Sequence, residues 1–329
     1  MVNVGIIGCG GMGKLHSRSL KAIEGVRLAA ACDIDAQALE AYAKEFSPAR
    51  TYSDFGALVR DPGVDAVVVC LPTYVHKDAV LAAAAAGKQV FCEKPIALSE
   101  ADAQEMIDAC SQAGVILMLG FVRRFDNDWG TFKRLVEEGA IGRPVVWRHF
   151  MAGGGPHNSW FIDGEKGGGP IIDGAIHDLD FANWLFGPMA WCQGSARHFK
   201  STSWDTVTVT IGYESGDELV LSWCWGLPKG AGGLHGQDAI GPGGTILFPH
   251  SVPSGLVPAD VPSDEQGAYW LDTGEEKKPV LFQKHDMFLV EMEHFIDCCA
   301  NGKQPVVTGE DGLKAIRVAL QSLASARKL

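Results

Sequence analysis

From residue 2 to about residue 120 the chain alternates short apolar or β-branched runs with longer amphipathic ones. The runs at 2–7, 26–32, 66–71, 89–92 and 115–119 predict strands, and those at 11–23, 35–46, 75–86 and 99–113 predict helices. The strands are apolar on both faces, as in a parallel sheet covered by helices on each side. Ser99, followed by Asp102, supplies a helix N-cap with a carboxylate near the first turn. This part of the chain is expected to be α/β, with a doubly wound parallel sheet. After Phe121 the texture changes to a helix at 126–138, a strand at 144–150, a glycine-rich loop at 152–169 and a helical stretch ending near 186. Strands follow at 204–213, where Thr and Val alternate, at 218–225 and at 245–248, before closing helices at 286–300 and 311–326. That order predicts a second domain of α+β class with a mostly antiparallel sheet. The expected division is 1–122 for the first domain and 123–309 for the second, with a helix at about 310–329 able to pack back on the first.

Composition agrees with two cores. At 329 residues the chain exceeds the roughly 250–300 residues at which single cores stop growing. Its 47% hydrophobic and 21% charged residues are those of a globular protein. A net charge of -12 without a Lys/Arg-rich run argues against nucleic acid as a partner. The longest apolar tract, 79–86, is too short for a bilayer span, and no membrane partner is expected. The N-terminus reads as a first strand and not as a signal peptide. Nine cysteines, Cys9, Cys32, Cys70, Cys92, Cys110, Cys192, Cys224, Cys298 and Cys299, form no C-x-x-C pair. Reduced, buried thiols in a cytoplasmic protein are expected, and no metal site.

The loop Gly8-Cys9-Gly10-Gly11-Met12-Gly13 has the spacing G-x-G-x-x-G between a predicted strand and a predicted helix. Glycines there permit a tight turn, close backbone approach to a pyrophosphate and close helix-to-strand packing, and the first helical N–H groups meet the phosphate charge. With 40 glycines in the chain the spacing alone is weak, but its context is specific. Asp33 arrives 20 residues after Gly13, at the end of the second strand, where a carboxylate accepts from ribose hydroxyls and repels a 2′-phosphate. The expected cofactor is therefore NAD, held in a Rossmann-type domain. Asp33 could instead cap the helix that follows, in competition with Asp35.

Glu93-Lys94-Pro95 after the predicted strand at 89–92 joins this fingerprint to others. These are Gly120-Phe121-Val122-Arg123-Arg124-Phe125-Asp126, the stretch from Gly167-Gly168-Gly169 through Asp173 and His177 to Asp180, residues 291–297, and Gly309-Glu310-Asp311-Gly312-Leu313-Lys314-Ala315. With these motifs in this order, the chain resembles the Gfo/Idh/MocA oxidoreductases over nearly its full length, and the second of them looks like the inositol dehydrogenase branch. The resemblance implies a Rossmann domain followed by an open, predominantly antiparallel sheet. It further implies assembly through that sheet's exposed face, as a homodimer or homotetramer, and oxidation or reduction of a sugar or cyclitol.

Oxidising a secondary alcohol removes a hydroxyl proton, which calls for a base with a pKa near neutrality, and histidine supplies one with little tuning. His177 is the candidate base. If the chain is helical from Pro170, Asp173 and His177 lie four apart on one face, so Asp173 can orient the imidazole or bind a substrate hydroxyl. Lys94 at the carboxyl end of a parallel strand can hydrogen-bond the reacting oxygen. The resemblance places the family's catalytic Asp and His at Asp173 and His177, and its lysine, which contacts both substrate and cofactor, at Lys94. Plainer readings stand beside each: a helix cap for Asp173, a half-buried histidine for His177, a solvated strand-end charge for Lys94.

Further cofactor contacts are expected from Gly8, Gly10, Gly11, Met12 and Gly13, from Leu71, Pro72 and Thr73 at the end of the predicted strand at 66–71, and from Glu93. His76 reads as a helix cap or cofactor contact rather than as a catalytic group. Arg123 is implied as a substrate contact, while Arg124 beside it reads as an exposed interface or salt-bridge residue. His157, Asn158 and Trp160 offer polar groups and a ring suited to a polyol. The glycine-rich stretches 152–169 and 229–244, the latter holding His235, depart from inositol dehydrogenases as expected and widen the substrate to a cyclitol, an aldose or a glycoside. A nucleotide-sugar dehydrogenase would need phosphate-binding cations, for which Arg143, Arg148 and Arg197 are the candidates. A non-catalytic NAD sensor is the alternative of another class, against which the Lys, Asp and His set argues.

Overall fold

A computed structural model of the chain describes residues 1–253, 256 and 265–329. It divides into two compact units, the first formed by Met1–Val122 with Asp286–Ile316 and the second by Arg123–His285 with Arg317–Leu329.

The first unit follows the expected alternation: β1 (Val2–Ile7), α1 (Gly11–Ala22), β2 (Val26–Cys32), α2 (Ala36–Phe46), β3 (Arg50–Tyr52), α3 (Phe55–Val59), β4 (Ala66–Val69), α4 (His76–Ala85), β5 (Gln89–Cys92), α5 (Glu100–Ala113) and β6 (Leu117–Leu119). The strands lie in the order β3-β2-β1-β4-β5-β6, and each adjacent pair is parallel. That is the doubly wound Rossmann order, whose reversal between β1 and β4 opens a crevice at the strands' carboxyl ends. Val4, Ile6, Ile7, the whole of β4 and Val90 to Cys92 are buried, which accounts for the unbroken apolar runs. The short β3 and α3 escape the sequence pattern because three to five residues are too few to show a period. Ser99 caps α5 as expected, accepting from the Asp102 amide at 3.1 Å.

The second unit holds α6 (Asn127–Glu137), β7 (Val146–Ala152), a π-helical turn at Pro170–Gly174, α7 (Ile176–Phe186), β8 (Met189–Arg197), β9 (Thr206–Tyr213), β10 (Glu218–Cys224), β11 (Leu234–Gly241), β12 (Gly244–Leu247), β13 (Gln266–Asp272) and β14 (Lys277–Gln283). After α8 (Met287–Asn301) and α9 (Gly309–Ser325), the terminal strand β15 (Arg327–Lys328) returns to it. Nine strands are ordered β14-β13-β12-β11-β7-β10-β9-β8-β15. The neighbours are antiparallel except for β7 with β10 and β8 with β15. One face is built from Trp147, Val207, Val209, Ile211, Leu219 and Leu221, all buried. Within this unit Trp129, Phe132, Trp147, Phe181 and Phe248 meet at ring-centroid distances between 4.6 and 6.1 Å.

Two expectations are corrected. The segment 229–244, read as a glycine-rich excursion, contains β11, because it finds β7 on one side and β12 on the other. Helix α8, assigned to the second domain by sequence, belongs to the first unit. Its Phe295 meets Phe91 edge-on at 5.6 Å, and its Phe288 meets His16 of α1 at 6.0 Å, so its apolar stripe is buried there. The first turns of α9 also lie in that unit, with Gly309 against Ile107 and Leu117 and Gly312 against Ile96 and Leu119.

Candidate active site

β1 ends at Ile7, and Gly8 turns the chain with φ of 99°, a conformation that L side chains rarely adopt. A Cβ on Gly8 would lie 2.4 Å from the Cys70 carbonyl oxygen, and one on Gly13 only 2.0 Å from that of Gly8. These two glycines are required by packing. Gly10 and Gly11 differ: both are exposed and have nothing within 4 Å of a Cβ position. Gly10 is the N-cap of α1 and makes no side-chain cap, so the first N–H groups of the helix are available to an anion. Asp35, not Asp33, caps α2, accepting from the Gln37 amide at 2.9 Å. Asp33 instead accepts from the Cys9 amide through Oδ2 at 2.8 Å and from the Asp35 amide through Oδ1 at 2.9 Å. The carboxylate is thereby fixed beside the glycine turn.

The segment 71–73 follows β4 on the other side of the crevice. Thr73 is buried, and its Oγ1 has no hydrogen-bond partner among the described residues. The open glycine turn, the uncapped helix start, the fixed Asp33 carboxylate and this orphaned hydroxyl together fit a dinucleotide. The turn suits its pyrophosphate, Asp33 its ribose, and residues 71–73 its far end.

His76 is not at the surface. At 1% exposure its ring nitrogens lie 2.9 Å from Pro95 O and 2.8 Å from Leu71 O, and burial lowers its pKa. It ties the segment after β4 to the one after β5 and is a brace rather than a cap. Glu93 is also buried, 2.6 Å from His16 Nε2. Its Oε2 accepts the Lys94 amide at 3.1 Å. Burial would raise the Glu93 pKa, but His16 and Lys94 hold it below the ordinary carboxylate value. Lys94 itself is half-buried at the carboxyl end of β5.

In the second unit, Pro170–Gly174 forms a single π-helical turn, and α7 starts at Ile176 with Ala175 as its N-cap. Asp173 is buried in the π turn, so it does not cap α7, and it precedes a change of helical period. His177 occupies the second position of α7 and is half-buried. Asp173 and His177 therefore flank a π-to-α junction instead of sharing one regular helix, a local irregularity common at functional sites.

The neighbouring residues of α7 hold what sequence reasoning missed. Asp178, fully buried, receives Arg123 Nη1 at 2.6 Å and lies 2.9 Å from His149 Nδ1, both on Oδ1. Burial opposes its charge, yet Arg123 and His149 hold its pKa well below the ordinary value. His149 Nε2 lies 3.0 Å from His235 Nε2, and the His235 ring stacks on His250 at 4.0 Å. Burial, with His235, His149 and Arg123 nearby, pushes His250 down to about 4. Two acceptor nitrogens cannot face each other, so the short His149–His235 contact requires a proton between them. Arg123 also lies over the Trp129 ring at 4.1 Å. Arg124 is buried and paired with Asp180, its Nε donating at 2.9 Å. His157 and Asn158 are exposed, and Trp160 stacks on Phe161 at 3.7 Å.

Comparison with known proteins places these features in context. Residues 2–121 match the NAD-binding Rossmann fold of the Gfo/Idh/MocA oxidoreductases, and residues 129–244 match their C-terminal domain. The chain is similar to the myo-inositol 2-dehydrogenase of Thermotoga maritima, at 33% identity over 96% of this chain and 93% of that one. It is also similar to the scyllo-inositol 2-dehydrogenase (NAD(+)) of Bacillus subtilis, at 28% identity over 99% and 94%. Among solved structures, the aldose-aldose oxidoreductase of Caulobacter crescentus superposes with a TM-score of 0.82 at 26% identity, covering 99% of this chain and 97% of that one.

Proposed function

The chain belongs to the Gfo/Idh/MocA oxidoreductase family and is an NAD-binding dehydrogenase of CH–OH groups, and we propose that it oxidises a secondary alcohol of a cyclitol or sugar. The observation that carries this reading is Lys94, held at the carboxyl end of β5, on the same edge of the parallel sheet as the glycine turn after β1 and the Asp33 carboxylate after β2. When bound, NAD supplies the two-electron acceptor for the carbon being oxidised. His177 takes the hydroxyl proton on its imidazole. Lys94 Nζ donates a hydrogen bond to the same oxygen and stabilises its alkoxide character as the proton leaves. Asp173 orients the imidazole or binds an adjacent hydroxyl. Gly10, Gly11 and Met12 receive the pyrophosphate, with residues 71–73 as further cofactor contacts, while Arg123, His157, Asn158 and Trp160 serve the substrate.

An uncharged polyol is favoured over a nucleotide sugar by the state of the cations. Arg148 is paired with Asp238 at 2.7 Å and Arg143 with Asp217 at 3.2 Å, and Arg197 donates to Ser195 Oγ at 3.2 Å. The first two would have to exchange a carboxylate for a phosphate. Assembly as a homodimer or homotetramer through the exposed sheet face is supported by Phe150 and Trp191, 44% and 47% exposed on that face. They lie over Gly236 and Gly212 of the adjacent strands.

Substitution tests the assignment. His177→Ala is expected to lower kcat at least a hundredfold with NADH affinity nearly unchanged. Lys94→Ala is expected to lower kcat with some loss of NADH affinity. A wild-type rate in either variant removes that residue from the mechanism.

A further inference from the structure

We infer that His16 is a positioning residue for Lys94, acting through the Glu93 carboxylate that lies between them. The inference rests on the assignment of Lys94 to the reacting oxygen.

His16 sits on α1, three residues beyond the last glycine of the turn, and is 0% exposed. Phe91 and Phe288 meet its ring edge-on at 5.1 and 6.0 Å and set its orientation. Its Nε2 lies 2.6 Å from Glu93 Oε1, which leaves Oε2 to accept the Lys94 amide at 3.1 Å. Gly120 leaves the room this needs, since a Cβ there would come within 3.1 Å of Glu93 Oε2. On the far side of Lys94, His76 Nδ1 lies 2.9 Å from Pro95 O. Two buried histidines, one from each of two helices, thus bracket the short stretch of backbone that carries Lys94. Only the first reaches it through an ionisable group.

Charge gives His16 its importance. The groups facing Glu93 are His16 from α1, Lys94 beside it, Cys70 after β4, Cys92 on β5, His76 on α4 and Glu291 from α8. Glu291 is 0% exposed, and neither of its carboxyl oxygens has a hydrogen-bond partner among the described residues. Burial and Glu93 raise its pKa well above the ordinary value, which favours its neutral form. The contact with His16 favours the ionised form of Glu93. Without that contact Glu93 protonates at higher pH, and the Lys94 amide loses a charged acceptor for a weaker one.

Hydrogen–deuterium exchange of the full-length protein, read by mass spectrometry at the Lys94 amide, tests the brace without a substrate. Turnover is measured in parallel. His16→Leu is expected to speed Lys94 amide exchange at least tenfold while the β5 amides of residues 90–92 stay within threefold of wild type. His16→Gln keeps a donor near the Nε2 position and is expected to restore slow exchange. In turnover, His16→Leu is expected to lower kcat more than KM and to move the acid limb of the pH–rate profile upward by about one pH unit, with Gln again restoring it. Unchanged Lys94 exchange in His16→Leu, or exchange that rises equally across β5, overturns the inference even if Lys94→Ala is inactive. A fully active Lys94→Ala instead overturns the underlying reading of Lys94, and the positioning role with it.

Discussion

Asp33 Oδ2 accepts the Cys9 amide at 2.8 Å, so the carboxylate at the end of β2 is bonded into the glycine turn itself. On the proposed reading of Asp33, cofactor choice and turn geometry are coupled through this one side chain. Asp33→Ala is expected to lower kcat/KM with NAD at least tenfold, about 1.4 kcal/mol. Relative efficiency with NADP should rise, because the charge that repels a 2′-phosphate is gone. Steady-state kinetics with both cofactors measure this, and an unchanged NAD to NADP ratio would show that Asp33 does not set the preference.

The glycines of the turn separate into two kinds, and substitution should separate them too. Gly13→Ala places a methyl 2.0 Å from the Gly8 carbonyl oxygen and should destabilise the protein by several kcal/mol, about the scale of an overpacked core. Gly10→Ala meets nothing within 4 Å and should leave Tm within about 2 °C of wild type while weakening NADH binding. Thermal melts with and without NADH distinguish the two. Equal losses of Tm would contradict the division.

Asp178 joins Arg123 and His149 at full burial. Its folded pKa is depressed, so the stability it contributes is present above the unfolded value near 3.9 and is lost as pH falls through the lower folded value. Asp178→Asn leaves Arg123 without its counter-charge and is expected to cost about 3 kcal/mol at pH 7, with the difference from wild type narrowing below about pH 4. Urea unfolding at a series of pH values tests it. A pH-independent loss would assign the cost to packing instead.

Asp128 has the opposite sign. Burial lifts its carboxyl to about 6, and Tyr269 only partly offsets that. A raised folded pKa favours the fold below the unfolded value and loses that contribution as pH rises through about 6. Asp128→Asn should therefore add about 3 kcal/mol at pH 8 and only about 1 kcal/mol at pH 4.5. Melting curves at the two pH values suffice, and an equal change at both would contradict the shift.

What the sequence made legible was what local chemistry dictates. Gly8 and Gly13 betray a turn because only glycine fits there, and the apolar β4 run betrays a strand buried on both faces. Where two residues could do one job, the chain alone did not choose. Asp33 and Asp35 could each have capped α2, and only the fold frees Asp33 for the turn. Periodicity gave α8 its apolar face but not the unit it covers, since Phe288 and Phe295 meet rings from distant segments. His149 and Asp178, 29 residues apart, are joined by a strand and a helix that pack together, and no spacing rule links them. Asp173 and His177 were expected on one helix face, and the π turn that holds Asp173 ahead of α7 is a break in helical period that sequence spacing does not encode. His76, which could have capped α4, instead lies buried between two carbonyls.

The central claim is that this chain oxidises a secondary alcohol of a cyclitol or sugar with NAD, and NADH formation at 340 nm on a panel of inositols, free aldoses and glycosides tests it most directly. The account predicts turnover with NAD on at least one member of the panel, faster than with NADP, and its loss in His177→Ala. NADH binding by the purified protein with no oxidation of any member, or equal rates in wild type and His177→Ala, would contradict it.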